Sequence, residues 1–271
     1  MPAIQTFKKQ LRGIRSTQKL TKAMKTVATV KFSKLNNIYG GYSLYSEQCR
    51  KMLLRHGEEL LTPLGKEDPF APEAFVIFTG NKGMCGSYNS EILSFAKDMI
   101  EANPKHLVFA CGKKAVTYFK SKGIDIDYEY SFSDVPAYEE STKLLIDLVD
   151  LRKQGKISKV HIIYKKYINM MHQKTAMFEL FSVDDKAIHD NSLLIPDQET
   201  IIKKTARKVF NAILYEFCLE TALGAWAATL MTMRQAHDTA LERCEELEMQ
   251  INRMRQSAIT ADVIETASEQ Y

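Results

Sequence analysis

From Leu219 to Ala258 the chain repeats in alternating steps of four and three: Leu219, Leu223, Trp226, Leu230, Met233, His237, Ala240, Cys244, Leu247, Ile251, Met254 and Ala258. Only His237 among them is polar. A mean step of 3.5 keeps one stripe facing a partner helix while the two supercoil left-handedly. Proline is absent after Pro196, so the pattern predicts one helix over 197–271, roughly 100 Å long at 1.5 Å per residue. At the other end Ile4, Phe7, Leu11, Ile14, Thr17, Thr21, Met24, Ala28, Phe32, Leu35 and Tyr39 repeat at the same mean step and predict its partner over 1–61. Thr17 and Thr21 weaken that seam. Gly40-Gly41 costs on the order of 1 kcal/mol per glycine relative to alanine, so a soft point is expected there.

Between these helices the period changes. Pro63, Pro69 and Pro72 mark a linker where helix cannot continue. The apolar run 74–78 reads as a strand, and 79–89 (TGNKGMCGSYN) as a loop into an amphipathic helix carrying Ile92, Leu93, Phe95, Ala96, Met99 and Ile100. Residues 107–111 predict a second strand, 113–122 a helix ended by Gly123, 126–132 a short strand and 138–152 a helix. Two further strands are expected at 160–164 and 177–183, the piece between them being open to extending the first. Strands alternating with helices imply a Rossmann-like α/β domain over 74–183, largely parallel with an antiparallel edge. A second linker, 184–197, is rich in Asp and Asn, and Asp197 is placed to cap the long helix. The expected layout is helix, α/β domain, helix, with the two ends packed as an antiparallel coiled coil.

Composition adds a charge asymmetry. Net charge is only +4, yet residues 1–46 hold nine Lys or Arg and no carboxylate, the first being Glu47. Lys8, Arg12, Arg15, Lys19 and Lys22 line a stripe beside the apolar one; its bland reading is a solvated face. Asp238, Glu242, Glu245, Glu246 and Glu248 on the other helix are placed to meet part of this charge. The five cysteines are scattered without a CxxC pair, which fits a reducing compartment and buried small apolar groups. No run of eighteen apolar residues exists, so no membrane span is expected. An acid-free N-terminus also suits a mitochondrial transit peptide, but lysine inside a regular apolar repeat argues against one.

Candidate chemistry is sparse. Gly80, Gly83 and Gly86 lie between strand and helix, where a phosphate loop sits, but the pattern is neither G-x-G-x-x-G nor a P-loop. A tight structural turn is the simpler reading. No cluster of His, Cys, Asp and Glu has metal-ligand spacing, and no nucleophile elbow or paired carboxylates suggest acid–base work. No catalytic residue, cofactor or metal is expected.

Residues 16–25 (STQKLTKAMK), with Val27-Ala28 and Lys31, resemble the TQKITKAMKMVA stretch of the γ subunits of F-type rotary ATPases. The loop 79–89 resembles that family's SDRGLCGGFN, with Gly83, Cys85, Gly86 and Asn89 in place. Met233-Arg234-Gln235-Ala236, Asn252 and 255–260 (RQSAIT) resemble the C-terminal MRxAT…YNxxRQAAIT signature. The resemblance implies a non-catalytic central-stalk rotor threaded through a ring of three α and three β subunits. Its α/β domain would be held by the ε subunit and the membrane c-ring, ATP chemistry belonging to the ring. By position, Lys19, Lys22, Met24 and Lys25 would pass acidic loops of β. Arg255, Gln256, Thr260 and Asp262, the last where Glu is usual, would touch other loops of the ring. The implied place is peripheral to the cytoplasmic side of a bacterial plasma membrane, rather than the mitochondrial inner membrane.

Besides Asp262, the chain departs from the family in two further places. Residues 224–230 (GAWAATL) replace SExAARM, putting Thr229 where Arg is usual and a bulky Trp226 nearby. The closing Gly-Ala is missing after Glu265, so the tip is expected to fit differently. These changes suit a divergent paralogue. The rival readings are a non-rotary coiled-coil scaffold with an α/β head, a nucleotide-binding enzyme using the 79–89 loop, and a nucleic-acid-binding arm, which would bind with steep salt dependence.

Overall fold

A computed structural model describes residues 2–182 and 198–268. The elements run α1 (Pro2–Leu61), a 3-10 turn (Thr62–Leu64), β1 (Glu73–Phe78), α2 (Tyr88–Ala102), β2 (His106–Cys111), α3 (Lys113–Lys122), β3 (Tyr128–Tyr130), α4 (Tyr138–Lys153), β4 (Val160–Tyr167), β5 (Gln173–Glu179) and α5 (Gln198–Ser268). The fold class is that of two long terminal helices with an inserted α/β sheet. The expected linker 184–197 and the Asp197 cap lie outside the described residues. Contacts group the chain into two compact units, Met1–Thr29 with Leu230–Tyr271, and Val30–Thr229.

In the first unit α1 and α5 pair antiparallel: Leu11 packs with Cys244 and Leu247, and Arg15 Nη2 meets Glu248 Oε1 at 2.6 Å. The α5 seam is the protected stripe as far as Ala258. The α1 seam differs from expectation at one step. Thr17 is exposed and its hydroxyl donates back to Gly13 O at 3.2 Å. Gln18 turns inward instead, its carbonyl accepting from Thr21 Oγ1 at 3.0 Å and lying 3.3 Å from His237 Nδ1. The stripe therefore steps four then three through Ile14, Gln18 and Thr21, because the chain satisfies the polar His237 with a backbone carbonyl.

The second unit is built on a five-stranded sheet of order β3-β2-β1-β4-β5, parallel except for the β4–β5 hairpin. Alternation sorts its side chains. Ala74, Val76 and Phe78 of β1 join Phe109, Cys111, Val160 and Ile162 in a core completed by α4 and by residues such as Leu35, Leu53, Phe210 and Phe217 of the long helices. Phe75 and Ile77 face the other way, with Val108, Ala110 and Ile163, onto Ile92, Ala96 and Phe119 of α2 and α3. Both faces are covered, as parallel sheets require. At the end of β2, Gly112 turns with φ +104°, and a β-carbon there would lie 2.3 Å from Thr79 O. Only glycine fits that approach.

Two local expectations are corrected. Helix runs unbroken through Gly40-Gly41, since Ile38, Tyr39 and Tyr42 pack on the core and tertiary burial outweighs propensity. The departure from helix falls at His56 (φ −129°, ψ 32°), a buried residue whose Nδ1 lies 3.0 Å from Glu59 Oε2. The last strand occupies 173–179 rather than 177–183, as a sheet edge tolerates its polar start Gln173-Lys174-Thr175. All five cysteines are free and buried.

Candidate functional site

The acid-free stretch of α1 presents cations outward. Lys8, Arg12, Lys19 and Lys22 are exposed, and Met24 and Lys25 are half-buried at the edge of the seam. The hydroxyls of Thr26 and Thr29 fold back onto Lys22 O and Lys25 O at 3.1 and 2.8 Å, leaving ammonium groups as the outward chemistry. Arg15 finds its carboxylate across the helix pair in Glu248. Among the described residues, no ion pair engages Lys19, Lys22 or Lys25.

On α5, Arg255, Gln256 and Thr260 are exposed, with Thr260 Oγ1 donating to Gln256 O at 3.0 Å. Asp262 lies on the same helix, but its side chain is outside the described residues. The two groups do not form one site. The contact of Gln18 with His237 sets the antiparallel register, so Arg255 lies about eighteen residues, roughly 27 Å at 1.5 Å per residue, from the level of Lys19.

The glycine loop is a turn built around Asn89. Gly80 N donates to Asn89 Oδ1 at 2.9 Å, and Asn89 Nδ2 donates to Lys82 O at 3.2 Å and Cys85 Sγ at 3.1 Å. Met84 and Gly86 take positive φ, 63° and 58°. Gly83 lies beside Lys114, and burial pushes the Cys85 thiol up. A β-carbon on Gly80 would stand 3.5 Å from Ala225 Cβ, so α5 closes over this end of the sheet.

Where α5 crosses the sheet it carries features that sequence reasoning missed. Tyr88, 1% exposed, donates through its hydroxyl to Thr221 O at 3.0 Å. Its ring fills the space above Gly224, where a β-carbon would lie 2.9 Å from Cε2 and from the hydroxyl oxygen. Trp226 Nε1 donates to Asp134 O at 3.2 Å, with Lys82 Nζ 5.2 Å from its ring centroid and 2.8 Å from Asp134 Oδ2. Glu220 accepts from Tyr167 N at 2.7 Å and is pushed up to about 7 by burial, with Glu216 adding to the rise. The signal in the sequence was the pair Glu216 and Glu220, four apart within an otherwise apolar run. Thr229, in the place of the family's Arg, is buried and donates to Ala225 O at 2.8 Å. Its hydroxyl is thus satisfied within its own helix.

Among the described residues no group of three or more His, Cys, Asp and Glu is placed to hold a metal ion, and no helix is long and apolar enough to cross a membrane. Residues 3–268 match the family model described as ATP synthase. The chain is similar to the ATP synthase γ chain of Desulfitobacterium hafniense, 26% identical over 98% of this chain and 97% of that one. It is also similar to that of Mycoplasma capricolum, 27% identical over 99% and 98%. Among solved structures it resembles a chain of the Euglena gracilis mitochondrial ATP synthase assembly of OSCP, F1 and c-ring. The TM-score there is 0.72 at 17% identity, covering 99% of this chain and 94% of that one. A chain of the Tetrahymena thermophila mitochondrial ATP synthase central stalk and c-ring gives a TM-score of 0.63 at 18% identity, covering 80% and 99%. The rival reading as a free coiled-coil scaffold finds no support among these relatives. With the match running along nearly its whole length, the chain belongs to the γ-chain family of ATP synthase, non-catalytic subunits that form the central-stalk rotor.

Proposed function

We propose that the chain turns inside a ring of three α and three β subunits and passes torque to a membrane c-ring, with an ε subunit held on its α/β domain. The segments 1–61 and 197–271 would serve as the axle and 74–183 as the foot. The observation that carries this reading is the acid-free face of α1: Lys19, Lys22 and Lys25 have no carboxylate partner among the described residues, which suits acidic loops of a surrounding subunit. Arg255, Gln256, Thr260 and Asp262 would meet ring loops at a second level of the coiled coil. An asymmetric axle presents different faces to three equal β subunits and biases each toward a different conformation, and turning it moves that bias around the ring. The complex would sit on the cytoplasmic face of a bacterial plasma membrane.

The test is the Lys19→Glu, Lys22→Glu, Lys25→Glu triple variant in the assembled complex. Weakened ring assembly, or ATP turnover that no longer drives ion movement, is expected; unchanged assembly and coupling would show the face to be merely solvated.

A further inference from the structure

We propose that Tyr88 and Trp226 key the α/β domain to α5 against twisting about the helix axis, making this junction a place where torque crosses between foot and axle. The proposal rests on the rotor reading above. Strand order reverses between β1 and β4, and the crevice beyond the carboxyl ends of the strands at such a switch point is where doubly wound sheets take their ligands. Here Tyr88 occupies it, its ring 5.3 Å from Lys165 Nζ of β4 and its hydroxyl on Thr221 O. The crevice grips a helix of the same chain.

Much of the contact between α5 and the sheet is aromatic, as in Phe217 against Tyr164 at 4.5 Å and Phe178 at 5.2 Å. The apolar burial in such contacts is non-directional, holding a helix at a set distance, whereas hydrogen bonds weaken steeply when misaligned and so resist rotation. Gly224 and Trp226 are two residues apart and point about 200° apart around a helix of 3.6 residues per turn. The Tyr88 ring therefore enters the Gly224 notch from nearly the opposite side to Asp134 O, which receives the indole N–H. Two grips on opposing sides oppose rolling in either sense. Lys82 braces the second grip by pairing with Asp134 and covering the indole.

The assembled complex in liposomes tests this by measuring ATP hydrolysis together with ATP-driven ion uptake. Trp226→Ala is expected to keep hydrolysis while uptake per ATP falls by about threefold or more, the size of effect that loss of one coupling contact produces. Trp226→Phe, which keeps an aromatic ring but loses the N–H and part of the indole's area, is expected to fall less. Should Trp226→Ala fail to assemble, Lys82→Ala and Asp134→Ala alter more exposed side chains and are expected to lower uptake per ATP in the same direction. Unchanged uptake per ATP, or hydrolysis and uptake falling in parallel, would overturn the proposal. A complex that still pumped without this chain would instead sink the rotor reading.

Discussion

Arg50 brings two donors to one oxygen of Glu216, Nη2 at 2.6 Å and Nε at 3.2 Å, and Ser46 Oγ adds a third at 2.7 Å. Glu216 is 8% exposed, and the guanidinium lies 5.0 Å from the Phe178 ring centroid and 5.3 Å from that of Phe217. The pair ties α1 to α5 within the α/β unit. Removing one partner strands a buried charge, whereas replacing both with apolar groups does not. Arg50→Met is therefore expected to destabilise the chain by about 2–4 kcal/mol, and Arg50→Met with Glu216→Leu to return close to wild type. Urea unfolding of the two variants decides it; a single variant as stable as wild type would refute the account.

Glu220 makes stability depend on pH. Its carboxyl rises from the ordinary 4.5 to about 7, chiefly through burial, while Tyr39, Tyr164, Glu216, Arg50 and Lys166 surround it. A raised carboxyl favours the folded state below its unfolded value, and that advantage is lost as pH climbs through about 7. Glu220→Gln is expected to match wild type below about pH 4 and exceed it by on the order of 3 kcal/mol above pH 8. Parallel stability curves for the two proteins across that range would remove Glu220 as the cause.

Glycines on the two long helices are expected to respond oppositely to alanine. At Gly40 and Gly41 a β-carbon meets nothing within 4 Å, so each substitution is expected to stabilise by about 0.5–1 kcal/mol. At Gly224 the same methyl meets the Tyr88 ring, and overpacking of about 1–3 kcal/mol exceeds the propensity gain. Thermal midpoints that rise for all three variants would show that Tyr88 yields at little cost.

Thr17 offers a check on the seam. It faces solvent, so Thr17→Glu should change stability by less than about 0.5 kcal/mol. Ala28→Glu, at a position 0% exposed, should break the helix pairing outright. Circular dichroism of the two variants separates these outcomes.

The long helices and the strand–helix alternation were legible because burial repeats at about 3.5 residues on the helices, while the inner strands, covered on both faces, read as short continuous apolar runs. The slip from Thr17 to Gln18 was not, because it turns on a backbone carbonyl that meets His237 across the pair. Nor does any local residue announce the departure from helix at His56. The β5 boundary was misplaced because an apolar run, 177–183, outweighed a polar edge segment. The face around Lys19 and Lys22 was readable as charge. The notch at Gly224 was hidden, since its meaning depends on Tyr88, 136 positions away and brought near only by the fold.

Arg15 and Glu248 lie 233 positions apart. Their pairing must therefore form late in biosynthesis. At about 5–20 residues per second, the N-terminal helix leaves the ribosome roughly ten to fifty seconds before its mate is made. Its apolar stripe spends that interval uncovered, and non-local closure of this kind is slow to nucleate. The antiparallel union of distant parts of the chain thus leaves the stripe of the first helix without its mate until the segment around Glu248 has been made.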